Sequence, residues 1–239
     1  MHRVTQRCVW RTCSDNHMGR LFAISDIHGC FKPFYELVVR TINLKKSDKL
    51  ILLGDYIDRG DQIREVIDFI IDLKEKGFDI TILKGNHEAM LIDSIPDPEI
   101  FALWMMNQGA TTLESFRVTG AGLMEKKYID FFSSMEYYYK TGNLLFVHAG
   151  FNDFIEDPFS DFESMIWESS PSYINPLLQG KIIIHGHRPK HIDFVKRLLN
   201  EKSNIIPIDT GCVYEKELGY GFLSALDVNR MELISVPRQ

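Results

Sequence analysis

Five segments of this 239-residue chain end in side chains that can hold a metal ion. They are Asp26-Ile27-His28-Gly29, Gly54-Asp55-Tyr56-Ile57-Asp58-Arg59-Gly60, Gly85-Asn86-His87-Glu88, His148-Ala149-Gly150 and His185-Gly186-His187. Hard oxygen donors mixed with imidazoles suit Mn²⁺, Fe²⁺ or Zn²⁺. Ca²⁺ prefers oxygen alone, and a structural zinc site would use thiolates. Two such ions, held roughly 3.5–4 Å apart, need a bridging ligand. A carboxylate can bridge; an imidazole usually cannot. Asp26 and His28 sit two apart, so in an extended segment both side chains point to the same side and can grip one ion. Gly29, Gly54, Gly60, Gly85, Gly150 and Gly186 would let the backbone turn sharply beside the ions.

Each segment alone has an ordinary structural reading. Asp55 and Asp58 can cap the helix that follows. His148 can be a hydrogen-bonded residue near a strand end, and Gly85–Glu88 can be a turn and a helix start. What sets them apart is order and context. Apolar runs of strand type cover 21–25, 50–53, 80–83, 144–147, 181–184, 205–208 and 222–226, several rich in Ile and bounded by Gly, Asp or Asn. Helical spacing recurs at Phe34, Leu37, Val38 and Ile42, and again at Ile63, Val66, Ile67, Ile70 and Leu73, before Gly77 ends the second run. Residues 104–132 read as mostly helical, broken near Gly109 and Gly120–Gly122. The first half thus predicts strand–helix–strand–helix–strand, an α/β fold with parallel strands. In such sheets ligands bind at the carboxyl ends of strands, and five of these runs deliver Asp, Asn or His there.

Composition sets the outer limits. Hydrophobic residues at 45% and charged residues at 25% describe an ordinary globular chain with material for a large core. A net charge of -6 argues against a general nucleic-acid binder. No run approaches about 18 consecutive apolar residues, so no membrane span is expected. Cys8, Cys13, Cys30 and Cys212 form no CxxC pair and read as free thiols of a reducing cytoplasm. Residues 1–17, with Arg3, Arg7 and Arg11 against Asp15, lack the apolar centre of a secretory signal. They are expected to be a disordered extension, with a transit peptide or a true start at Met18 as the alternatives. The remainder, 18–239, is expected to form one domain.

The series Asp26-x-His28-Gly29, Gly54-Asp55-x-x-Asp58-Arg59-Gly60, Gly85-Asn86-His87-Glu88, His148-Ala149-Gly150 and Gly186-His187 resembles the phosphoprotein phosphatase family of metallophosphoesterases, especially its compact bacterial and phage members. Trp104-x-x-Asn107-x-Gly109-x-x-Thr112-Leu113, Ile208-Asp209-Thr210-Gly211-Cys212-Val213 and Ala225-Leu226 extend the likeness over about residues 18–229. The resemblance implies an α/β sandwich of two mixed β-sheets flanked by helices, in α/β/β/α order, holding two divalent ions, Mn²⁺ first and Fe or Zn as alternatives. One ion would sit on Asp26, His28 and Asp55. The other would sit on Asp55, Asn86, His148 and His187, with Asp55 as the bridge. His87 would protonate the leaving oxygen, oriented by Asp58, while Arg59 clamps phosphoryl oxygens beside Asn86. The implied reaction is phosphomonoester hydrolysis by a hydroxide bridging the ions, most simply in a serine/threonine protein phosphatase. Its partners would be phosphorylated proteins, peptides or small phosphoesters, not nucleic acid or membrane. A dinucleoside polyphosphate hydrolase is the alternative, although that branch is usually longer. A non-catalytic metal-bearing binding module is the third, and such proteins normally lose ligands or the general acid.

The chain departs from the family pattern twice. Ser25 stands where Gly usually precedes the first Asp. More consequentially, no Arg lies between His148 and His187, where protein phosphatases usually carry a second clamp; Trp167-Glu168-Ser169 falls near that place. The loss should weaken phosphate binding by about 1.5–3 kcal/mol, and Arg188 is the candidate replacement. Tyr137-Tyr138-Tyr139 reads as a strand or surface segment, and 151–162 as a loop walling the cleft. Lys84 is expected to stabilise its loop, and His185 and His191 to act as supporting or surface residues.

Overall fold

A computed structural model of the protein describes residues 19–238; the expected extension 1–17, with Cys8 and Cys13, lies outside the described residues. Three short strands, β1 (Leu21–Ile24), β2 (Lys49–Leu52) and β3 (Asp79–Ile82), pair in parallel as expected. Their links are α1 (Phe31–Tyr35), which widens into a π-helical stretch over Glu36–Thr41, and the amphipathic α2 (Ile63–Glu75). A chain of helices follows β3: α3 (Asn86–Asp93), α4 (Pro98–Met106), α5 (Ala110–Phe116) and α6 (Lys126–Ser133). The second half supplies β4 (Tyr138–Thr141), β5 (Leu144–Val147), α7 (Phe162–Trp167), β6 (Ile182–His185), α8 (Ile192–Asn200), β7 (Ile205–Pro207), β8 (Phe222–Asp227) and β9 (Glu232–Pro237). One sheet runs β3-β2-β1-β8-β9 and the other β4-β5-β6-β7. Both are mixed: β8 and β9 are antiparallel additions to the first, and β4 to the second.

Alternate residues of each strand feed different cores, because side chains alternate across a pleated strand. Ala23, Ile51, Leu53, Leu144, Phe146, Ile182, Ile184 and Leu226 pack together between the sheets. Phe22, Ile24, Leu50, Leu52, Ile80 and Ile82 face the other way, against α1, α2 and the α3–α6 helices. Leu145, Val147 and Ile183 cover the outer face of the second sheet with Phe151, Met165 and Leu178. Burial on both faces explains why the parallel strands read as unbroken apolar runs. It also means that the chain can turn polar only at strand ends, and the carboxyl ends are where ligands gather. No helix among the described residues is long and apolar enough to cross a membrane.

Candidate metal centre

Two of the site-bearing strands belong to opposite sheets, yet their ends meet. Gly54, after β2, has φ +107°, and a Cβ there would lie 2.8 Å from His148 Nδ1 and 2.6 Å from the Gly85 nitrogen. A Cβ on Gly85 would stand 2.1 Å from Asp55 Oδ1. Gly85 has an extended φ of -94°, so its smallness serves close approach rather than the sharp turn expected from sequence. The ligand loops carry backbone strain as well. His28, Asp55, Asp58, Arg59 and His187 all have positive φ, a costly region for residues with a Cβ. Such conformations persist only where the surroundings over-determine them.

Glu88 is a large part of those surroundings. Fully buried on the first turn of α3, it accepts the N–H groups of Asp55 (2.9 Å), Tyr56 (2.8 Å), Ile57 (3.3 Å) and Gly85 (3.0 Å). One carboxylate thus buckles the β2 loop to the β3 loop. Sequence reasoning quoted Glu88 only as part of a motif; its signal was a Glu at the third helical position after Gly85, where such side chains reach back to backbone N–H groups.

The donors converge around Asp55. His28 Nε2 lies 3.5 Å from Asp55 Oδ2, and His148 Nε2 lies 3.5 Å from Asp55 Oδ1. His28, Asp55 and His87 form one group whose ligand atoms lie within 4.8 Å of each other; Asp55, His148 and His187 form a second. Asp55 is common to both. Asn86 Oδ1 joins the second group, 3.1 Å from His148 Nε2 and 3.2 Å from His187 Nδ1, and those two nitrogens are 3.2 Å apart. Asp26 belongs to neither group. Its carboxylate accepts the Ser25 hydroxyl (2.5 Å) and the His187 backbone N–H (3.0 Å), tying the end of β1 to the end of β6. Arg188 also stays outside: it is exposed and lines a neighbouring cavity of about 280 Å³.

Tautomers test whether this set fits cations. His28 Nδ1–H donates to the Ile57 carbonyl (2.7 Å) and His148 Nδ1–H to that of Leu53 (2.9 Å), so each presents a bare Nε2. Asn86 Oδ1, His148 Nε2 and His187 Nδ1 then face one another with at most one proton to share. Lone pairs packed this way repel unless a cation lies among them, and imidazole with oxygen donors fits a divalent transition metal. Burial acts on these groups in the same sense, disfavouring the charged form of each donor left by itself. Burial pushes the Asp55 carboxyl well above the ordinary range, with Asp26 and Glu88 adding to it. Burial, aided by Arg59, pushes His28 well down; burial and then His148 bring His187 to about 3.

His87 and Arg59 complete the edge. His87 Nδ1–H donates to Asp58 Oδ2 at 2.5 Å, and Asp58 also accepts Trp104 Nε1–H (2.8 Å) and the Thr112 hydroxyl. Asp58, Trp104 and Thr112 are fully buried, so the His87 ring is held from behind by an anchored carboxylate. Burial opposes charge on His87, but Asp55 and the Asp58 hydrogen bond outweigh it and leave its pKa raised. Arg59 forks between Nε2 of His28 (2.8 Å) and Nε2 of His87 (3.1 Å), donating to both. Asp209, at the end of β7, was not assigned a role from sequence. It is buried, and its pKa is raised well above the ordinary value, first by burial and then by Asp26. Its signal was present: Ile205–Ile208 is one more apolar run ending in a carboxylate. His185 is a buried supporting residue, as expected, with burial bringing its pKa to about 4.

A family model described as calcineurin-like phosphoesterase matches residues 19–215. The asymmetrical bis(5'-nucleosyl)-tetraphosphatase PrpE of Bacillus velezensis is 26% identical over 230 residues, covering 83% of this chain and 87% of that one. The symmetrical bis(5'-nucleosyl)-tetraphosphatase of Buchnera aphidicola (subsp. Schizaphis graminum) is 38% identical over 72 residues, and the match spans only 25% of its length. A crystal structure provisionally assigned as a diadenosine tetraphosphatase superposes with a TM-score of 0.66 at 21% identity, covering 94% of this chain and 96% of that one.

Proposed function

Because the chain belongs to the calcineurin-like phosphoesterase family, we propose that it is a metal-dependent hydrolase whose substrate is a dinucleoside polyphosphate. The observation that carries the hydrolase reading is Asp55 shared between two donor groups, with His28 and His87 in one and His148 and His187 in the other, and Arg59 on the same edge. Two features support the substrate class. A relative of matching length is named as an asymmetrical bis(5'-nucleosyl)-tetraphosphatase, which removes the length argument against that branch. In addition, no second arginine clamp stands between His148 and His187.

His28, Asp55, Asn86, His148 and His187 would hold two divalent ions, with Asp26 fixing the His187 loop or completing the first ion's shell. When bound, such ions supply Lewis-acid charge at the phosphoryl oxygens and acidify a water to serve as nucleophile. The chain's own groups do the rest. Arg59 must surrender His28 Nε2 once that lone pair serves a metal, and His87 Nε2 once that nitrogen carries the proton to be transferred, and its fork is then free for two phosphoryl oxygens. His87 gives its Nε2 proton to the leaving oxygen, while the Nδ1–H bond to Asp58 fixes the ring's aim and stabilises its charged form. Trp104 and Thr112 keep that carboxylate in place, so no side chain needs to reorganise during the transfer.

Phosphopeptide hydrolysis is the second reading, favoured by one observation. A groove of about 530 Å³, lined by Leu103, Tyr137, Phe162 and Trp167 together with Asp93 and Glu163, opens beside the site, and the Trp167 ring meets His187 edge-on at 6.2 Å. A panel on metal-stripped protein with Mn²⁺, Fe²⁺, Zn²⁺ or Mg²⁺ added back separates the readings. Diadenosine tetraphosphate should show the highest kcat/KM beside a phosphopeptide and p-nitrophenyl phosphate. Preference for the phosphopeptide would select the second reading, and turnover indifferent to metal would remove the hydrolase mechanism altogether.

A further inference from the structure

We infer that the cavity beside His187 receives the non-reacting nucleotide arm of the substrate, its phosphates on Arg188 and Lys190 and its base against Phe194. The cavity, about 280 Å³, opens between α8 and the ends of β6 and β7. Arg188 and Lys190 stand on its rim, one and three residues beyond His187. Among the described residues, neither side chain has a hydrogen-bond or ion-pair partner, and no Asp or Glu lines the cavity. In a chain of net charge -6, two adjacent cations left without a counter-charge form an anion-attracting point. Arg197, paired with Glu201, lies with its guanidinium 5.0 Å above the Phe194 ring.

The walls say what kind of anion fits. Phe194, Leu198 and Pro207 make them largely apolar, which a bare phosphate would not exploit. The volume falls just below the usual range of ligand pockets, on the order of 300–1,000 Å³. That suits one nucleoside rather than a folded peptide. An apolar wall with two cations that follow His187 in the chain matches an amphiphile whose charged end lies toward His187. A phosphate chain passing His187 meets Arg188 first, then Lys190, and leaves its base at Phe194.

This inference rests on the dinucleoside polyphosphate reading, and the test keeps the two apart. Lys190→Glu should raise KM for diadenosine tetraphosphate at least tenfold with kcat within about threefold. Its kcat/KM for p-nitrophenyl phosphate should stay within twofold of the native protein, because that ester has no second arm. An unchanged KM for diadenosine tetraphosphate overturns the inference. Should Lys190→Glu fold poorly, which a drop in both activities would reveal, the native protein decides. With metal in excess, ATP should inhibit p-nitrophenyl phosphate turnover at least tenfold more strongly than inorganic tripolyphosphate. Equal inhibition overturns the inference. If the native protein hydrolyses p-nitrophenyl phosphate but not diadenosine tetraphosphate, the substrate reading fails by itself. The ATP comparison still settles the cavity.

Discussion

Glu88→Gln tests whether one buried carboxylate holds the two metal-bearing loops together. Glutamine keeps the shape but replaces one oxygen with an NH₂ group. If the amide nitrogen takes the place of Oε2, the N–H groups of Asp55 and Gly85 lose their acceptor; in the other orientation those of Tyr56 and Ile57 lose theirs. Either way two buried donors face another donor. At about 1–3 kcal/mol for each unsatisfied group, the loss is about 2–6 kcal/mol. One effect opposes it: Glu88 adds to the charge that raises the Asp55 pKa, so a neutral side chain relieves repulsion among buried carboxylates. That relief counts only in the ion-free protein, since divalent cations already cancel the repulsion. The variant should therefore lose more stability with Mn²⁺ than without it. By linkage, its affinity for Mn²⁺ should fall about 10–100-fold, as for other side chains that orient metal ligands. Urea unfolding with and without Mn²⁺, together with calorimetric metal titration, measures both. A variant within about 0.5 kcal/mol of the native protein in both conditions, with unchanged metal affinity, would refute the buckle; differences that small are typical of surface substitutions.

His87→Asn removes the general acid and should cut turnover by about 10²–10⁴-fold while leaving metal bound; undiminished kcat takes that role from His87. Gly85→Ala places a Cβ 2.1 Å from Asp55 Oδ1, so metal titration should show much weaker binding, and native affinity would mean that the loop can yield. Asp48 offers a test away from the site. Burial resists its charge, but hydrogen bonds from the Arg20 guanidinium and the N–H groups of Lys45 and Arg20 outweigh it and hold the carboxyl below its ordinary 3.8. A depressed folded pKa means the stabilisation is present above about pH 3.8 and is lost as pH falls through the folded value. Asp48→Asn should cost about 1–3 kcal/mol at pH 7, discounted for the half-exposed arginine. That deficit should shrink below pH 3.8; one constant across the acid range would contradict the assignment.

The parallel strands could be read from sequence because both of their faces are buried. Each is a run of apolar residues with abrupt polar ends, and the expected bounds of β5 agree with those observed while the others shift by a residue. The edge strands lack that signature. β9, over Glu232–Pro237, is mostly half-exposed and closes on a proline, so nothing in its pattern separates it from a loop. β4 falls in the tyrosine run that read equally well as surface. Its tyrosines are half-buried, and the exposed Lys140 lies over the Phe159 ring at 5.4 Å.

Site residues divide along the same physical line. Local motifs expose the groups that sit on a strand end, because each follows an apolar run that stops at a ligand-type residue. Spacing within a loop does not fix which groups meet, since His28 has φ +44° rather than extended backbone and Asp26, two residues away, joins neither donor group. His28 and Asp55, or Asn86 and His87, are found that way. Roles that depend on contacts across the chain are not. Trp104 and Thr112 reach Asp58 over 46 and 54 residues of sequence, and only packing α4 and α5 against the β2 loop reveals that they anchor the carboxylate behind His87. Asp209 lies between these cases. The apolar run before it obeys the rule that located the other five segments, but a lone carboxylate after a strand, with neither a histidine nor a second carboxylate beside it, reads as an ordinary turn residue. Burial and then the Asp26 charge oppose ionisation of its carboxyl, and divalent ions held on that edge would lower the cost. Such a residue tunes the charge balance of the site without entering either donor group, which is why a search for ligands alone passes over it.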